Sequence, residues 1–358
     1  MRSRSLPGTI ADVTPEWLAG VLADAPEWNE RRIVSVAASP VGGRDALASA
    51  VYRADVGVVQ RDGTARSIPL LVKLHAPAVS QRNDDEYAAE VWFYRELASR
   101  AGVPVPATYV AEFAERLRHM VIVQEFLTDG RIGSSDVALD VADLQRVLGS
   151  LAALHATWWK AESLARMPGV RTFDAAIQRA IVNLNAGALD VPRFLDRFGQ
   201  LIHPATIAAY RSMPGWMARV AEDFSDSFTL IHLDCSAKNI FIPDDQSRMP
   251  VLFDWALVRS GNPGLDLATL LCYSMAAADH LRIPELLRYY LGELEARGVR
   301  HDGYATLWTD FRLGCLWRMA APVANAMSGT IARDDHVRTI IPQLDAIVLS
   351  CGALELVE

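Results

Sequence analysis

The prevailing pattern of apolar positions changes near residue 128. Before that point the chain reads as strands with one long helix. "RRIVSVAASPV" and "SAVYRADVGVV" are rich in β-branched and aromatic residues and predict strands, separated by the glycine turn "GGRDALA". "GVVQRDGTARSIPLLVKLHA" predicts a hairpin turning at Asp62-Gly63. In "NDDEYAAEVWFYRELASRAG" the period lengthens to that of a helix. Tyr87, Val91, Tyr94 and Ala98 form its stripe, Asn83 can cap its start, and Gly102 stops it. "VPVPATYVAEFAERLRHMVIVQEFL" predicts two more strands after a proline-marked loop.

Beyond residue 128 the helical period prevails. "VADLQRVLGSLAALHATWWKAESLA" predicts one long amphipathic helix, and residues 172–224 are mainly helical in pattern. One stretch interrupts them, "LIHLDCSAKNIFIPDDQSRMPVLFDW", in which apolar runs flank a polar turn as in a hairpin. Helices are expected again to the C-terminus. The expected fold is therefore α+β in two lobes. Residues 1–127 form a strand-rich lobe and residues 128–358 a larger, mainly helical one, joined near Glu125 to Gly130.

Composition narrows the class. The chain has 358 residues, 51% hydrophobic and 22% charged, which suits a soluble protein with a sizeable core. A formal net charge of −8 argues against a nucleic-acid partner. The N-terminus has two arginines but no continuous apolar run, so no signal peptide is expected. The longest apolar stretch, Leu267 to Ala278, is too short to span a bilayer and is closed by Asp266 and Asp279, so no membrane association is expected. Four scattered cysteines without a CxxC pair suit a reducing cytoplasm. GxxxxGK[ST], HExxH, GxSxG and strand-linked GxGxxG motifs are all missing.

The interrupting hairpin carries the chemistry. With its turn at roughly residues 244–249, positions summing to about 493 face each other, which sets Asn239 opposite Asp254. Asp234 then joins them in one patch. Two hard oxygen ligands beside a carboxylate suit Mg²⁺ carrying a nucleotide phosphate. Three Asx residues are also what a plain turn uses. Their spacing, with "GNPGLD" downstream, favours the chemical reading. In the first lobe, Lys73 lies near the end of "PLLVKL", where burial without a partner is costly. Glu90 lies on the buried stripe of the following helix and needs a partner too, with Glu86 one turn earlier in reserve. The bland alternative is a pair of snorkelling surface residues.

"HLDCSAKN", "FDW" and "GNPGLDLATLL" together resemble the aminoglycoside phosphotransferase and choline kinase superfamily, within the protein-kinase-like phosphotransferases. The resemblance implies a two-lobed kinase-like fold and transfer of the ATP γ-phosphate to a small hydroxyl-bearing molecule. It implies Asp234 as catalytic base, Asn239 and Asp254 as Mg²⁺ ligands, His232 as a brace of the catalytic loop, and Asp266 as its support. It places Lys73, paired with Glu90, on the α/β-phosphates, Gly42 and Gly43 in the loop over the phosphates, and the backbone of Glu125 to Leu127 at the adenine. Leu233 departs from the usual Gly, and Asn262 from a common Asp. Lys238 reads as a solvated lysine and His155, in "LAALHATWW", as a core histidine. A protein kinase is disfavoured, since only eleven residues separate Asp254 from Asp266 and no A-P-E follows. A non-enzymatic pseudokinase that binds nucleotide or a partner is the other alternative. The acceptor's identity and the oligomeric state are open at this stage.

Overall fold

A computed structural model describes residues 6–41, 49–75, 84–117, 119–173, 189–326 and 331–357. Gly42, Gly43 and the Asn83 cap lie outside the described residues. Main-chain proximity divides the chain into two units, residues 1–99 with 105–128, and residues 100–104 with 129–358.

The first unit contains α1 (Pro15–Val21), β1 (Arg31–Pro40), β2 (Ser49–Gln60), β3 (Ala65–His75), α2 (Asp84–Trp92), β4 (Thr108–Ala114) and β5 (His119–Glu125). Its strands form one antiparallel sheet in the order β1-β2-β3-β5-β4. The β2–β3 turn falls at Asp62-Gly63. Asp62 Oδ1 accepts from the Thr64 N–H at 2.8 Å, and Gly63 takes the positive φ of 84° that the turn requires. Alternation then sorts the side chains. Ala54, Val56 and Val58, Leu70, Val72 and Leu74, and Val121 and Val123 pack in one core with Leu18 of α1, Leu22 and Trp28. Lys73, out of phase with Val72 and Leu74, belongs to the opposite face, as does Glu90 of α2. α2 continues as a π-turn, Phe93–Leu97, and a 3₁₀ turn, Ala98–Arg100. The chain then turns at Gly102, whose φ is 81°.

The second unit contains β6 (Gly130–Ile132), α3 (Val141–Thr157), β7 (Arg171–Thr172), α4 (Val191–Phe198), α5 (Pro204–Glu222) and β8 (Thr229–Ile231). β9 (Ile240–Pro243), β10 (Val251–Leu252), β11 (Arg259–Gly261), α6 (Gly264–Ser274), α7 (Ile283–Ala296), α8 (Tyr304–Arg318), α9 (Ala320–Ala326) and α10 (Ile331–Ser350) follow. Its short strands make two three-stranded sheets, β10-β9-β6 and β7-β11-β8. α3 starts where Asp140 accepts from the Asp143 N–H at 2.8 Å. It stops at Thr157, earlier than its periodicity predicts. Lys160 has a φ of 49° and donates its N–H to Phe228 O, so the two tryptophans sit in a turn and a separate 3₁₀ turn follows. α6 is the apolar axis of the unit, and every one of its residues is buried.

All four cysteines are buried and free. Cys272 and Cys315 bring their Sγ atoms to 3.6 Å between α6 and α8. Among the described residues no helix is long and apolar enough to cross a membrane. The chain is an α+β protein.

Candidate active site

The loop after β8 is held by one carboxylate. Asp266, in the first turn of α6, is fully buried. Its Oδ2 accepts from the His232 N–H at 2.8 Å and its Oδ1 from the Leu233 N–H at 2.6 Å. His155 Nε2 lies 3.2 Å from Oδ2, and His155 Nδ1 lies 2.7 Å from the Tyr290 hydroxyl. Burial alone would push the Asp266 carboxyl up. The hydrogen bond and charge of His155, with the His232 N–H, outweigh it, so the carboxyl stays below the ordinary carboxylate range. A depressed folded-state value stabilises the protein above the unfolded value of about 3.9 and loses that contribution as pH falls through the folded value. Asp266→Asn should therefore flatten the acid side of the stability profile below about pH 4. Near neutrality it should cost about 1–3 kcal/mol, because an amide has one acceptor oxygen for two loop N–H groups. Thermal melts of both proteins across pH check both halves.

Leu233 sits in the left-handed region, with φ 63°. Its N–H is bound to Asp266, and Arg318 Nη1 donates to its carbonyl at 3.3 Å. The side chain is 5% exposed and packs with Phe173, Ile231 and Leu265. A left-handed L-residue costs about 1–2 kcal/mol. Emptying a buried leucine site costs about 2–5 kcal/mol, and glycine adds unfolded-state freedom. Packing is the larger effect, so Leu233→Gly should destabilise by roughly 1–4 kcal/mol. Urea unfolding showing a more stable variant would reverse that ranking.

Asp234 comes next. Its N–H donates to His232 Nδ1 at 3.3 Å, and His232 Nε2 donates to Phe253 O at 2.9 Å, which selects the Nε2–H tautomer. One imidazole thus ties the loop to the end of the hairpin. Asn239 Nδ2 donates both to Asp234 O and to Asp234 Oδ2, each at 2.9 Å. Lys238 Nζ lies 3.4 Å from the same Oδ2 and is largely buried, so it is an ion-pair partner of Asp234 and not the solvated lysine expected.

The hairpin register differs from expectation by one residue. Val251 pairs with Phe241 and Leu252 with Ile240, and the Phe253 N–H donates to Asn239 O at 3.1 Å. Phe253, not Asp254, therefore stands opposite Asn239. The turn is set by Arg146 of α3, whose Nη2 donates to the carbonyls of Pro243, Asp245 and Arg248. Asp254 steps off the ladder in a left-handed conformation, φ 64° and ψ 62°, and is partly buried.

In the first unit, Lys73 Nζ donates to both oxygens of Glu90, at 2.6 and 2.8 Å. Lys73 is 7% exposed and Glu90 1%. Glu125 ends β5: its N–H donates to Ala107 O, and its Oε1 accepts from Ala107 N at 2.8 Å. Phe126, beneath the Arg53 guanidinium, and Leu127 leave the sheet with half-buried side chains.

Three residues near Asp234 or its support were given no such place by the sequence: Lys238, His155 and Arg318. The i→i+4 spacing of Asp234 and Lys238 carried a signal. Arg318, at the far end of α8, carried none.

A model of the phosphotransferase enzyme family matches residues 53–305. Comparison with curated proteins returns no match. Among solved structures, the GDP and kanamycin complex of APH(2")-IIIa shares 16% identity, with 95% of this chain and 97% of that one covered and a TM-score of 0.57. An ethanolamine kinase of Plasmodium vivax shares 12%, covering 94% and 86%, with a TM-score of 0.56. Macrolide 2'-phosphotransferase MphH from Brachybacterium faecium shares 19%, covering 90% and 98%, with a TM-score of 0.50. At such identities the shared property is the fold, which is protein-kinase-like. The family match spans most of the chain and both the Lys73–Glu90 pair and the Asp234 loop. The chain belongs to the phosphotransferase enzyme family, and it is an enzyme.

Proposed function

We propose that this enzyme transfers the γ-phosphoryl group of ATP to a hydroxyl of a small molecule. The observation that carries the proposal is Asp234, a carboxylate fixed by Asn239 and Lys238 on a loop pinned at Asp266. In this reading the acceptor hydroxyl attacks the γ-phosphorus, the bond to the β-bridging oxygen breaks, and ADP leaves. The hydroxyl proton passes to the Asp234 carboxylate. Residues 1–127 serve the nucleotide and residues 128–358 the acceptor. Lys73, oriented by Glu90, serves the α/β-phosphates, and the main chain of Glu125 to Leu127 the adenine.

Asn239 and Asp254 fit a magnesium ion. Asn239 uses its Nδ2 on Asp234, which leaves Oδ1 as a hard oxygen donor, and Asp254 adds a carboxylate. When bound, Mg²⁺ neutralises charge on the phosphate oxygens. A small acceptor suits the chain between Asp254 and Asp266, which is taken up by the 3₁₀ turn Trp255–Leu257 and by β11. Three of the structures similar in fold were solved with GDP, so the donor test needs both nucleotides.

The test is a mass-spectrometric screen of hydroxyl compounds, with Mg²⁺ and either ATP or GTP. One compound should gain a single phosphoryl group, with ATP preferred, and chelation of the metal should stop the gain. Nucleotide binding without any transfer would favour the pseudokinase reading.

A further inference from the structure

Beside the Asp234 loop the second unit buries a cation that, among the described residues, has no carboxylate partner. Arg318, the last residue of α8, is 9% exposed. It donates once, to Leu233 O, and its Nε is buried without a partner. Its guanidinium stacks 4.8 Å from the Tyr273 ring centroid, and the Tyr273 hydroxyl donates to its carbonyl at 2.8 Å. Among the described residues it forms no ion pair. Asp234 is the carboxylate whose charge reaches it. A buried cation of this kind lowers stability unless something binds it.

Next to Arg318 stands an apolar wall. Trp317 meets Phe173 edge-on at 4.8 Å, and Phe173 meets Phe224 edge-on at 6.0 Å. Leu233 and Leu257 belong to the same cluster, in which Phe224, Leu257 and Trp317 are only partly buried. Leu233, the residue before Asp234, is buried beneath this wall, where the family pattern has Gly. The carboxylates flanking Phe224 in sequence, Glu222, Asp223 and Asp226, are exposed and screened by water. The charge of Arg318 is shielded far less.

We infer that Arg318 and this wall form the acceptor subsite, and that it selects a hydroxyl compound with an apolar, ring-bearing body and a carboxylate. The planar guanidinium fork pairs with the carboxylate, and the aromatic edges cover the ring. A polycationic acceptor is disfavoured by the same charge. The inference rests on the role proposed above for Asp234.

The experiment uses the full chain with Mg²⁺·ATP and four acceptors: hydroxymethylbenzoate, its methyl ester, aminomethylbenzyl alcohol and kanamycin. The acid should exceed the ester and the amine in kcat/KM by roughly 10-fold or more. Arg318→Met should erase that difference, mainly through KM for the acid, without lowering the melting temperature. Arg318→Lys should recover only part of it, because an ammonium lacks the fork. Preference for the amine or kanamycin overturns the inference and leaves the proposed reaction standing. So does an acid preference that survives Arg318→Met. Equal loss on all acceptors, with unchanged melting, would assign Arg318 to the transferred phosphoryl group instead. Equal loss with lower melting would make it a structural support of the loop. If no acceptor gains mass, the proposed reaction itself is in question. Calorimetric titration of hydroxymethylbenzoate into the Asp234→Asn protein then reads the subsite alone, and absence of Arg318-dependent heat overturns it.

Discussion

Asp234→Asn should lower turnover by roughly 10²–10⁴-fold, the range for a lost general acid–base group. The amide preserves the shape. With its oxygen turned toward Asn239 Nδ2 and Lys238 it keeps the two contacts that position the side chain. The loop N–H bonds to Asp266 involve His232 and Leu233, so they are untouched. What disappears is the basic carboxylate. Nucleotide affinity should change little, because Lys73, Asn239 and Asp254 remain. A turn-forming role for Asp234 predicts near-normal turnover instead, since Asn serves turns nearly as well. A coupled assay with an identified acceptor, run beside a nucleotide titration, separates the outcomes.

Lys73→Met should cost about 3–5 kcal/mol of stability, because it takes the ammonium away from a carboxylate that is 1% exposed. Under the role proposed for Lys73, phosphate positioning is lost as well, so stability and activity should fall together in the single variant. The double change Lys73→Met with Glu90→Leu separates them. Replacing a buried ion pair by apolar groups of similar size is often neutral or stabilising. Urea unfolding should therefore show stability largely restored in the double variant while turnover stays low. Recovery of turnover along with stability would mean that the pair is structural and that the lysine does not serve the phosphates.

Local patterns made the larger outline legible before any coordinates. β-Branched and aromatic enrichment marked the sheet of the first unit, Asp62-Gly63 marked its hairpin, and Tyr87, Val91 and Tyr94 marked the buried stripe that carries Glu90. The spacing from His232 to Asn239 lies within one loop and its following turn, so a short motif can encode it. The misses involve contacts between segments far apart in sequence. Arg146 sets the β9–β10 turn from α3, which moved the register by one residue and put Phe253 opposite Asn239. His155 reaches Asp266 from another helix, and no periodicity distinguishes a brace of that kind from ordinary core. Leu233 was visible as a departure from the family pattern. Its left-handed backbone and its contact with Arg318 were not, because both depend on α6 and α8 closing around the loop.

The buried thiols turn the protein into its own record of local opening. Cys235, Cys272 and Cys315 have no exposed surface and Cys351 has 4%, and burial pushes the Cys235 and Cys315 thiols well above their ordinary range. An alkylating reagent therefore reaches these sulfurs through transiently opened forms, at rates that follow the population of each opening. Cys235 adjoins Asp234, so its alkylation follows release of the loop that carries Asp234. Cys272 and Cys315 lie between α6 and α8 and follow separation of the helices behind it. Site-resolved labelling, with and without nucleotide, would give the order in which the loop and its supporting helices come apart.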